Sequence, residues 1–61
     1  MPPQRKLIRF AKEKLLRAYV REAAHLRAVA ENVTNGPLRA RLLEEAARQE
    51  RLADEVRRDA S

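Results

Sequence analysis

Leu, Ile and Val recur every three or four positions along most of the chain, with Arg, Lys and Glu filling the gaps between them. That period marks α-helices packed along one side. Placed at roughly 100° per residue, the segment before position 34 gathers Ile8, Ala11, Leu15, Ala18, Tyr19, Leu26, Val29 and Val33 on one stripe. The segment after position 37 gathers Leu38, Leu42, Ala46, Leu52, Ala53 and Val56. Between them stands Asn32-Val33-Thr34-Asn35-Gly36-Pro37, which holds the chain's one Gly and its third Pro. The pattern predicts a helix over 4–33, a turn over 34–36 and a helix over 37–59. Asn35 or Gly36 is expected in the left-handed conformation that closes the first helix, with Pro37 in the first turn of the second. So short a connection makes the helices antiparallel neighbours in one all-α domain, a two-helix hairpin.

Folding at the Asn35-Gly36 junction pairs residue i with residue 71 − i, which sets Val33 against Leu38, Val29 against Leu42, Tyr19 against Leu52 and Leu15 against Val56. Residues up to Arg9 are left overhanging, and they include Leu7 and Ile8, with Phe10 at the edge. A chain of 61 residues with no Cys has neither the core size nor the disulfide or zinc-thiolate staples that usually stabilise a lone small domain. Leu16, Val20, Ala24, Ala28 and Leu43 also lie off the main stripes, as in helices that touch more than one neighbour. The expected solution is a homodimer or higher oligomer, most simply a four-helix bundle. Its interface would draw on Ile8, Leu15, Tyr19, Glu22, Leu26, Val29, Leu42, Gln49, Leu52 and Val56. Leu7, Ile8 and Phe10 would be left for a neighbouring subunit or another protein.

Glu22 interrupts the first stripe, and Glu45 and Gln49 interrupt the second. The pairing rule places Glu22 opposite Gln49 and His25 beside Ala46, so Glu22, His25, Glu45 and Gln49 are expected as one polar band. Such a band fixes register, because misalignment would bury a charge without its partner. Glu22-Ala23-Ala24-His25 is also a Glu-x-x-His pair, the spacing by which four-helix carboxylate sites hold iron or manganese. Glu22, His25 and Glu45 are therefore the metal candidates, although no cofactor is required by the pattern. Asn32-Val33-Thr34 matches a glycosylation acceptor, and Tyr19 lies one turn from Glu22; the simpler reading is a turn and a core edge.

The formal net charge is +5, and it belongs to the first helix. Arg5, Lys6, Arg9, Lys12, Lys14, Arg17 and Arg21 are opposed in their stretch by Glu13 alone. On the wheel Lys6, Arg17 and Arg21 cluster away from the apolar stripe with Phe10 among them. Basic side chains interleaved with an aromatic suit a phosphate backbone with a base to stack, or an anionic membrane surface. The second helix alternates its charges, and pairs such as Glu44 with Arg48 and Asp54 with Arg58 have the stabilising i, i+4 order. No apolar run approaches the roughly 18–20 residues of a membrane span, and the start lacks the apolar block of a secretory signal. Integral insertion is thus not expected and a cytoplasmic location is. The basic opening stretch has some character of an organelle transit peptide, yet it continues the helical pattern.

The run Ala24-His25-Leu26-Arg27-Ala28-Val29-Ala30-Glu31, a short break, then Arg39-Ala40-Arg41-Leu42-Leu43-Glu44-Glu45-Ala46 and Leu52-Ala53 resembles a group of short uncharacterised bacterial proteins. The likeness covers about residues 23–53. It implies a helical hairpin and carries no activity and no functional residue with it. With no nucleophile, no acid–base pair and no pocket-sized domain, an enzyme is not expected. The pattern points to an adaptor or small regulator acting through protein contacts. Its alternatives are a nucleic-acid-binding regulator using the basic helix face and a carboxylate–His metal site in the bundle core.

Overall fold

The computed structural model describes the backbone of residues 3–60 and the side chains of residues 9–59. Two helices, α1 (Pro3–Glu31) and α2 (Gly36–Ala60), pack along each other, and the described residues contain no strand. Lys6, Leu7 and Ile8 lie on α1, but their side chains fall outside the described residues. The Cα trace measures 53 × 15 × 11 Å, so two helices lie side by side with nothing layered above or below them.

The turn is built differently from the expectation. Among the described residues none, glycine or otherwise, has a positive φ, so neither Asn35 nor Gly36 closes α1 in the left-handed conformation. The last turn instead tightens through Asn32 N–H to Val29 O at 3.0 Å and Val33 N–H to Ala30 O at 3.2 Å, bonds three residues back that end a helix in a narrower turn. The Asn32 side-chain amide donates to Ala28 O at 3.3 Å, satisfying one more terminal carbonyl. α1 therefore stops at Glu31 rather than Val33. Asn35 caps the next helix: its Oδ1 accepts from Leu38 N–H at 3.0 Å and its carbonyl accepts from Arg39 N–H at 2.9 Å. Gly36 is then the first residue of α2 and Pro37 the second. With both helix ends satisfied by asparagine side chains, a left-handed residue has nothing left to do.

On α1 the seam is also rotated from the predicted stripe, whereas on α2 Leu42, Ala46, Leu52, Ala53 and Val56 lie at the seam as the stripe placed them. The seam's buried residues are Ala23, Ala30, Ala46 and Ala53, seven positions apart on each helix. Half-buried Leu16, Tyr19, Leu26 and Val33 flank the first pair, and Leu42, Gln49, Leu52 and Val56 flank the second. A repeat of seven keeps one face of a helix toward its partner, and methyl side chains at that repeat let the two backbones approach closely. Leu15 and Val29, expected against Val56 and Leu42, are instead exposed at 45% and 37%.

The axial register is staggered as well. Residues 36–41 of α2 are all exposed, Leu38 at 47%, and burial begins only at Leu42. Leu38 is thus not covered by Val33 as the folding rule proposed. Arg27 reaches Glu50 at 2.6 Å, whereas the rule gives it Glu44, nearly two turns nearer the loop. At the far end Lys12 Nζ donates to the Asp59 carbonyl at 3.5 Å, a pair the rule does give, reached by a long flexible stem. Each helix therefore protrudes past the other, α2 at the loop and α1 at its N-terminal end, where Arg9, Phe10 and Ala11 are exposed.

Candidate functional site

Two flanks of the hairpin and the outer face of α1 remain open, and the candidate residues divide among them. One flank is apolar. On α1 it carries Leu15 and Val29 beside half-buried Tyr19 and Leu26; on α2 it carries Leu38 beside half-buried Leu42 and Leu52. A shallow groove on this side is lined by Leu26, Leu38, Leu42, Arg41, Glu45 and Arg48. Leu15, Glu22 and Val29 repeat at seven, as do Ala11, Ala18 and His25. This second heptad row runs beside the first and is unoccupied in the single hairpin.

The expected polar band is divided between surfaces. Glu45 and Gln49 are half-buried at the groove edge, where Gln49 Nε2 donates to Glu45 Oε1 at 3.1 Å and Arg48 Nη1 lies 3.9 Å from Glu45 Oε2. Glu22 and His25 are exposed, so Glu22 does not face Gln49 across the seam. The reason is the alanine repeat: turning Ala23 inward swings its neighbour Glu22 outward. Glu22, His25 and Glu45 do not come together, and no group of three or more potential metal ligands forms among the described residues.

The opposite flank is held by a bidentate ion pair that the sequence pattern did not single out. Arg27 Nη2 donates to Glu50 Oε1 at 2.6 Å and its Nε donates to Oε2 at 3.3 Å. The hydrogen bond from Arg27, partly opposed by desolvation and helped least by the guanidinium charge, lowers the Glu50 carboxyl below its ordinary value. The same hydrogen bond raises Arg27 further. Val20, Ala24, Ala53, Asp54 and Arg57 surround the pair, and Arg57 Nη1 meets Asp54 Oδ1 at 2.9 Å. Ala23 and Ala30 were missed in the same way, and the seven-residue spacing from Leu16 through both was the signal that could have found them.

The outer face of α1 presents Phe10, exposed at 65%, with Arg17 and Arg21 exposed about two and three turns beyond it. Lys6, the fourth member of that candidate cluster, lies outside the described side chains. No family model matches the chain, and neither a curated protein nor a solved structure matches it. Among the described residues no helix is long and apolar enough to cross a membrane.

Proposed function

We propose that the chain works as a homodimer, two hairpins pairing their apolar flanks into a four-helix bundle that serves as a protein-contact module, an adaptor or small regulator. One observation carries this reading: among the described residues nothing larger than alanine is fully buried, while Leu15, Val29 and Leu38 are 45%, 37% and 47% exposed on one side. Alanine burial removes little apolar surface from water, at roughly 25 cal/mol per Å², and a two-helix seam of alanines leaves the larger side chains half wet. A second layer would bury them.

The same flank favours a second copy over an unrelated partner. It carries acids, Glu22 and Glu45, and bases, Arg41 and Arg48, the mixture of signs that a self-complementary two-fold interface needs to set the acids of one copy against the bases of the other. The half-buried Glu45–Gln49 pair would then sit at the bundle centre and penalise wrong registers, since sliding it would leave a carboxylate facing leucines.

Sedimentation equilibrium at micromolar concentration tests the proposal. The expected mass is twice that of one chain, falling to one for Leu15→Glu with Val29→Glu and staying at two for Val20→Glu on the opposite flank. A compact, cooperatively melting monomer of the unaltered chain would refute it.

A further inference from the structure

We infer that the outer stripe of α1 is a binding site for single-stranded nucleic acid, with Lys14, Arg17 and Arg21 meeting successive phosphates and Phe10 stacking a base. Positions 10, 14, 17 and 21 recur at i, i+4, i+7 and i+11, so their side chains fall within an arc of about 60°. That arc points away from Ala23 and Ala30, which face α2. It also lies about a quarter-turn from the Leu15–Val29 row, so pairing of two hairpins through that row leaves it open.

Three features taken together make this stripe a site, and the exposed ring among free cations is the one that an ordinary solvated face lacks. First, Phe10 is 65% exposed, and it is the chain's one phenylalanine. Nothing in the hairpin gains from an aromatic ring held in water beside cations. Second, among the described residues no ion pair or hydrogen bond engages Lys14, Arg17 or Arg21. Elsewhere on the hairpin Arg27, Arg48 and Arg57 each have an acidic partner, whereas Arg39, Arg41 and Arg51 share the stripe's lack of one among the described residues but have no exposed aromatic ring among them. Third, the stripe continues toward the loop through Ala24 and Ala28, both exposed, which lets a strand lie close to the helix. From Phe10 to Arg21 the stripe runs about 16 Å, room for two or three nucleotides.

A single strand fits better than a membrane surface. Insertion at a lipid headgroup layer needs a broad apolar face opposite the charges, and between Phe10 and Arg21 this stripe offers no other bulky apolar side chain. Stacking needs one exposed ring, and base–aromatic stacking tolerates any base.

The test is fluorescence anisotropy of the full chain with labelled 15-nucleotide oligo-dT and oligo-U. Neutralising three phosphates of a single strand gives a log–log salt slope of about −2, so affinity should fall roughly twentyfold between 50 and 200 mM salt. Arg17→Ala and Arg21→Ala should each flatten the slope by about 0.7. Phe10→Ala should weaken binding at least fivefold with the slope unchanged, and Phe10→Trp should restore it. All three positions are exposed, and unchanged helicity by circular dichroism confirms that each variant folds. The inference falls if neither oligonucleotide binds at 50 mM salt, if Phe10→Ala binds as the parent does, or if duplex DNA binds more tightly than the single strand. It falls equally if vesicles containing anionic lipid bind while the oligonucleotides do not.

Discussion

Asn35 caps α2, because its side chain accepts one of the backbone N–H groups that the first turn of the helix cannot satisfy for itself. Asn35→Ala is expected to cost about 1 kcal/mol in urea unfolding at fixed protein concentration; no loss would mean that water caps the helix equally well. Gly36 is a subtler case. It has no positive φ, and an added Cβ would meet nothing within 4 Å beyond its chain neighbours, so a gain of about 0.5–1 kcal/mol would ordinarily follow from Gly36→Ala. Its neighbour Pro37 changes the sign, since a proline ring crowds the Cβ of a preceding helical residue. Gly36→Ala alone should therefore gain nothing, and it should stabilise only in a Pro37→Ala background. A double-mutant cycle of unfolding free energies measures that coupling; additive effects would exclude it.

At the scale of the helices, the alanine rows decide how α1 and α2 meet. Ala46 is fully buried, so Ala46→Leu inserts atoms where the backbones approach and should cost about 1–3 kcal/mol in chemical unfolding, despite raising hydrophobicity. Stabilisation instead would show a looser seam. Across the helices, the Arg27–Glu50 pair is about half exposed on both sides, so its contribution is small and salt-sensitive. Its sign with pH is nonetheless fixed. Glu50 is lowered in the folded chain, so the stability it adds is complete above the unfolded carboxyl value, about 4.3, and is lost as pH falls through the lower folded value. As pH falls through that interval the melting temperature of the parent should drop more steeply than that of Glu50→Gln. Parallel melting curves for the two would remove the pair from the account.

For the molecule as a whole, the proposed pairing makes stability depend on concentration. Each tenfold rise in protein concentration should add about 1.4 kcal/mol to the folded assembly, several degrees in melting temperature for a bundle of this size. A melting temperature that does not move between 1 and 100 μM, on the order of two decades, would indicate that one hairpin folds alone.

Periodicity along the chain determined that there are two helices, that they are joined near Asn35 and Gly36, and that apolar residues gather on one side of each. These are local matters, set by spacing and by residues unsuited to helix interiors. Which part of the apolar side forms the seam was decided only in three dimensions. On a wheel Leu15 and Val29 outrank Ala23 and Ala30, because hydrophobicity ranks side chains one at a time. Two packed helices are drawn instead by how closely their backbones can approach, and a repeat of methyl groups wins that contest. The rotation that follows exposes Glu22 and His25, and together with the axial stagger it puts Arg27 within reach of Glu50. No spacing within one helix encodes such a pairing, since it depends on the axial offset between two.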